Sequence, residues 1–171
     1  MQGKIILITG GAKSGKTSLA MKMAKGSVVY LATGEPRDSE MKRRINMHKK
    51  SRPENWKTIE EPIDIISAVQ KEVKKKQTII VDCITLWLSN IIAKKNISEE
   101  KIIKTLKTFL NICKKGNATI IIVSNEVGLG IVPENKLARY FRDIAGNTNQ
   151  TIAKYADNVY LTISGIPLKL K

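Results

Sequence analysis

The feature that most constrains this chain is a junction. The apolar run Lys4–Thr9 (KIILIT) passes without a linker into Gly10-Gly-Ala-Lys-Ser-Gly15-Lys16-Thr17, and helical spacing through Leu19, Met23 and Ala24 follows at once. An apolar run without alternation is what a strand covered on both faces requires, which places it inside a parallel sheet. The glycine-rich stretch satisfies G-x-x-x-x-G-K-[ST]. In that pattern the backbone curls so that successive amides point at one anion, and the following helix adds its positive end. Gly10, Gly11, Ala12, Lys13, Ser14, Gly15, Lys16 and Thr17 are therefore expected to form a phosphate-binding loop. Lys16 would reach the β- and γ-phosphates, and the Thr17 hydroxyl would ligate Mg2+.

The same grammar repeats downstream. Ser27–Ala32, Thr78–Asp82, Ala118–Ser124 and Asn158–Ile163 read as further buried strands. Between them, Asp38–Lys50, Ile63–Lys75, Ile84–Ala93, Ser98–Lys115 and a segment from about Glu134 to Tyr155 read as helices, the last with an interruption expected near Gly146. Residues 53–62 read as irregular, and Ile166–Lys171 alternates like an edge strand. The expectation is an α/β fold in a single domain over residues 1–171: a doubly wound, mostly parallel sheet of the P-loop NTPase type with an antiparallel C-terminal edge strand. Ligands in such sheets bind beyond the carboxyl ends of the strands, so the tails after Thr9, Ala32, Asp82 and Ser124 should share one cleft.

Composition sets limits on partners. The chain has 171 residues, 42% hydrophobic and 26% charged, as an ordinary soluble globular protein does. No apolar run is long enough to span a bilayer, and the apolar start is too short for a signal peptide, so a cytoplasmic location is expected. Cys83 and Cys113 lack metal-ligand spacing and read as reduced core thiols. The net charge of +15 raises nucleic acid as a partner. The excess is mainly lysine spread over several helical segments, and aromatic residues make up only 5%, so a stacking platform is missing. Solvated helix faces or small phosphorylated substrates account for the charge better, and a basic nucleic-acid-binding NTPase is the opposing reading.

Several residues stand out. Asp82 ends a buried strand where a metal-holding acid belongs, and the metal role is the favoured reading, though the same carboxylate can also cap the helix from Ile84. His48 is the only histidine, on a basic helix among Arg43, Arg44, Lys49, Lys50 and Arg52. A lone surface histidine usually has no role, yet neighbouring cations favour the neutral imidazole, which can attack phosphorus. Ser124-Asn125-Glu126 leaves the fourth strand, and Arg139, Arg142 and Asp143 share one helix face. For both groups a capped loop and an ion-paired surface are as good a reading as a functional one. Trp56 and Trp87 read as packing residues.

The chain resembles the bifunctional adenosylcobinamide kinase / adenosylcobinamide-phosphate guanylyltransferase family. The resemblance runs through ITGGAKSGKTSLA (8–20), VVYLATGEPRDSEMKRRINMHKKSRPENWKTIEEP (28–62), IIVDCITLWLSN (79–90) and VSNEVGLGIVPENKLARYFRDIAGNTNQTIAKYADNVYLTISGIPLKLK (123–171). It implies phosphorylation of the aminopropanol arm of adenosylcobinamide with ATP or GTP, then transfer of GMP from GTP to that phosphate through a guanylyl-histidine. The matching position is His48. It also implies nucleotide contacts from the loop, from Thr33, Gly34 and Glu35, from Lys49, Lys50, Ser51 and Arg52, and from Glu60 and Asp82, with Mg2+ on Thr17 and Asp82. A homotrimer is implied in the same way. A narrower alternative keeps only the guanylyl transfer.

Overall fold

A computed structural model describes residues 3–95 and 97–171. One seven-stranded sheet organises it. The strands are β1 (Lys4–Gly10), β2 (Val28–Ala32), β3 (Lys57–Glu60), β4 (Thr78–Asp82), β5 (Thr119–Val123), β6 (Asn158–Ile163) and β7 (Ile166–Lys169), in the order β3-β2-β4-β5-β1-β6-β7. All neighbours are parallel except β6 and β7, so the expected antiparallel C-terminal edge is present. Helices α1 (Lys16–Met23), α2 (Ser39–Lys50), α3 (Ile65–Gln70), α4 (Ile84–Lys95), α5 (Glu99–Lys115) and α6 (Lys136–Tyr155) connect them.

Because side chains alternate along a strand, each continuous apolar run feeds two cores. Ile5, Leu7, Leu31, Ile79, Val81, Ile120 and Ile122 face one side and meet Val69, Trp87, Leu88, Phe109, Ile144 and Ile152 from α3 to α6. Ile6, Ile8, Tyr30, Ile80, Ile121 and Val123 face the other, where the cover is thinner: Ala20 of α1, with Leu19, Met23, Trp56 and Leu86 partly buried. No residue of α2 is buried. Its inward side touches the body through Ile45, whose side chain borders the space beside Gly34 together with Leu86.

Three expectations need correction. Residues 53–62 are not all irregular: Lys57–Glu60 form β3, pairing parallel with β2, Lys57 opposite Val29 and Glu60 opposite Ala32. Its sequence KTIE is too polar for hydropathy to mark, since an edge strand needs only one ladder partner. The helix expected over 63–75 is cut short. Asp64 caps α3 by accepting from Ser67 N at 3.1 Å, and a separate 3-10 turn covers Glu72–Lys74. Gly146 does not interrupt α6, which runs unbroken from its Asn135 cap. Cys83 and Cys113 are free and buried, and burial pushes their thiols up to about 11 and about 12. No helix among the described residues is long and apolar enough to cross a membrane.

Candidate active site

The loop between β1 and α1 takes the shape its glycines allow. Gly15, at φ 95°, caps α1, and Lys13 at φ 55° completes the curl. The β6–β7 hairpin braces it: the Ser14 and Thr162 hydroxyls lie 2.8 Å apart, and Gly165 N donates to Ser14 O at 3.0 Å. Lys16 is buried and bends back over the loop, its Nζ donating to Gly11 O at 2.5 Å. Burial lowers its pKa from the usual lysine value, opposed by the charges around Cys83 and Asp82. A buried ammonium held by a carbonyl of the loop is suited to an anionic ligand.

Asp82 closes the cleft from β4. Its Oδ2 accepts from Thr17 Oγ1 at 2.9 Å and from the Tyr30 hydroxyl, which ties the carboxylate to the loop. Burial, then the Asp82 charge, raises the Tyr30 pKa well above the tyrosine norm, keeping that hydroxyl a donor. The Arg52 guanidinium stacks 3.9 Å over the Tyr30 ring, and the Trp56 ring stacks against Tyr30 with centroids 6.5 Å apart. Arg52 Nε is buried without a hydrogen-bond partner among the described residues. A hydroxyl and a carboxylate that already meet at the loop fit Mg2+, which takes few protein ligands and completes its octahedron with phosphate oxygens and water. Among the described residues no cluster of three or more His, Cys, Asp or Glu offers an all-protein metal cage.

The remaining sequence candidates divide. Thr33 is buried; its hydroxyl donates to Cys83 O at 2.7 Å and accepts from Cys83 N at 2.9 Å, tying the end of β2 to the end of β4. Glu35 turns away toward α4, pairing with Lys94 at 2.5 Å and Arg37 at 3.5 Å; the hydrogen bond from Lys94 lowers its carboxyl pKa most. Lys49 and Glu60 pair at 2.5 Å. Ser51 Oγ donates to His48 O at 2.9 Å. His48 and Lys50 are exposed, and neither side chain has a hydrogen bond or ion pair among the described residues.

Sequence reasoning missed Tyr30, although a tyrosine inside a strand buried on both faces signals a hydroxyl in need of a partner. It also missed Thr162 and Asn149, which carry no local signal at all. Arg139 Nη1 donates to Pro133 O at 3.0 Å and so braces the preceding loop, and Arg142 pairs with Asp143 at 3.3 Å. Trp87 lies fully buried, donating to Ile63 O.

A glycine loop at the carboxyl end of a parallel strand, its threonine hydroxyl bonded to a carboxylate at the end of another strand of the same sheet, defines a P-loop nucleotide-binding protein. Comparison with known proteins narrows this. The profile of the cobinamide kinase / cobinamide phosphate guanyltransferase family matches residues 6–170, and the chain belongs to that family of enzymes. It is 36% identical over 180 residues to the bifunctional adenosylcobalamin biosynthesis protein CobU of Escherichia coli (strain K12), covering 98% of this chain and 99% of that one. It is 39% identical over 168 residues to the bifunctional adenosylcobalamin biosynthesis protein CobP of Pseudomonas aeruginosa, covering 96% of each. Among solved structures, a KaiC-like protein, PH0186 of Pyrococcus horikoshii OT3, matches with a TM-score of 0.53 at 21% identity, covering 94% of this chain and 71% of that one. That likeness bears on the fold alone.

Proposed function

We propose that one cleft serves both reactions of the family, with His48 as the residue that carries GMP. In the kinase step, the loop amides and Lys16 hold the β- and γ-phosphates of ATP or GTP while the hydroxyl of adenosylcobinamide attacks γ-phosphorus in line. In the second reaction, His48 attacks the α-phosphorus of GTP. A nitrogen–phosphorus bond forms, the bond to the bridging oxygen breaks, and pyrophosphate leaves toward the loop. An oxygen of adenosylcobinamide phosphate then displaces His48, giving adenosyl-GDP-cobinamide and the free histidine. Mg2+ on Thr17 and Asp82 would neutralise charge on the phosphate oxygens. Lys49, Lys50, Ser51, Arg52 and Glu60 complete the nucleotide's surroundings in this reading.

The observation that carries it is the chain of contacts from Arg52 to Tyr30 to Asp82. It anchors the segment just after His48 to the phosphate site, although His48 itself stands exposed on α2. The absence of buried residues in α2, with Met47, Leu129, Ile131 and Val132 exposed nearby in sequence to the site loops, supports a homo-oligomer, a trimer by family resemblance. A nucleotide-fed biosynthetic enzyme belongs in the cytoplasm. Incubation with α-labelled GTP should leave acid-labile label on the wild-type protein and none on His48→Ala; label persisting on that variant would sink the assignment.

A further inference from the structure

Strand β5 lies between β1, which carries the phosphate loop, and β4, which ends in Asp82. Whatever leaves its carboxyl end is delivered between the phosphate cradle and the metal acid. Ser124, Asn125 and Glu126 leave it there, fixed to β1 and to α4: Ser124 N donates to Ile8 O at 3.0 Å, Asn125 Nδ2 to Thr85 Oγ1 at 2.9 Å, and Glu126 N to Gly10 O at 3.0 Å. The Glu126 peptide thus sits on the first residue of the phosphate loop.

Its carboxylate is aimed by α6. Asn149 is buried, and its Oδ1 accepts from the buried Ser124 hydroxyl at 2.6 Å, which turns its amide nitrogen outward. That nitrogen donates to Asn125 O at 3.2 Å and to Glu126 Oε2 at 3.3 Å. No cation pairs with Glu126 among the described residues. By contrast, Glu35 is engaged by Lys94 and Arg37, Glu60 by Lys49, and Asp82 by two hydroxyls. Glu126 is therefore a positioned carboxylate with proton-accepting capacity left over. Val127, the next residue, lines a groove of about 530 Å³ together with Ile92, Ala93, Phe141, Arg37 and Arg142.

We propose that Glu126 takes the proton from the acceptor hydroxyl in the kinase step, the acceptor's arm entering through this groove. The inference rests on the reading that the chain phosphorylates an alcohol. As the bond from hydroxyl oxygen to γ-phosphorus forms, the bond from γ-phosphorus to the bridging oxygen breaks. The nucleoside diphosphate leaves with that electron pair, the hydroxyl proton passes to a Glu126 oxygen, and water removes it after product release. The guanylyl transfer makes no such demand. Its attacking group is a phosphate monoester, largely without a proton at neutral pH. Glu126 therefore separates two reactions that share one phosphate cradle.

The test is Glu126→Gln, which keeps an oxygen for the Asn149 amide and nearly the same shape. Its kinase kcat should fall about 100-fold or more. Labelling of His48 by GTP alone, and GMP transfer to preformed adenosylcobinamide phosphate, should stay within about threefold of wild type; these also report that the variant is folded. Equal losses in both reactions, or a kinase rate within about threefold of wild type, would overturn the assignment. Wild-type protein that accepts label from GTP but phosphorylates no cobinamide would instead remove the kinase reading on which it rests.

Discussion

The two glycines that open the phosphate loop are chemically identical and physically unlike, and alanine substitution separates them. A methyl on Gly10 would lie 2.5 Å from Thr162 O and from Thr162 Oγ1, and 2.6 Å from Ser14 Oγ, at a φ of 152°. Thr162 O is backbone in β6, the ladder partner of β1, so it cannot swing aside. Overpacking and strained backbone each cost about 1–3 kcal/mol. A total of about 3 kcal/mol is expected for Gly10→Ala, a fall in Tm of roughly 10 °C for a chain of this size. The displaced atoms include the Ser14–Thr162 brace and the carbonyl that holds Glu126, so kcat/KM for the nucleotide should drop at least about tenfold. A methyl on Gly11 meets nothing within 4 Å, and Gly11→Ala should stay within about 0.5 kcal/mol of wild type. Thermal scans and nucleotide kinetics of both variants make the comparison. Equal stability and activity in the two variants would refute the claim that the β6 contact, rather than loop flexibility, requires Gly10.

Glu72 gives a pH-dependent counterpart away from the cleft. Hydrogen bonds from Lys57 at 2.6 Å, Gln77 at 2.9 Å and Lys75 at 3.3 Å hold its buried carboxyl down to about 2, from an ordinary value near 4.5. At about 1.4 kcal/mol per pH unit this is roughly 3 kcal/mol, reduced to about 2 because both lysines are more than half exposed. A depressed folded-state value means the contribution is whole above pH 4.5 and disappears as pH falls to 2. Glu72→Gln should be less stable by that amount at pH 7 and equal to wild type near pH 2, and denaturation curves that stay parallel across this range would contradict it. For assembly, light scattering of the purified protein should give three times the chain mass of 19.0 kDa; a concentration-independent monomer would remove the oligomer proposal.

Much of this was legible in the chain itself. Continuous apolar runs at Lys4–Thr9, Thr78–Asp82 and Ala118–Ser124 read as strands buried on both faces, because they are short, rich in isoleucine and valine, and alternate with longer helical segments. The glycine–lysine–threonine spacing locates the phosphate loop, since only curled backbone presents consecutive amides to one anion. Other features depended on tertiary partners. β3 is polar and owes its existence to the free edge of β2. The union of Thr17, Tyr30 and Asp82 required three elements remote in sequence to end at one point. The aim of Glu126 is set by Asn149, a residue of α6 with no local reason to matter. Sequence pattern reports how a segment meets solvent, and so it determined the sheet and its loop. Which side chains meet across the carboxyl ends of β1, β4 and β5 follows from strand order, and only the folded chain could decide it.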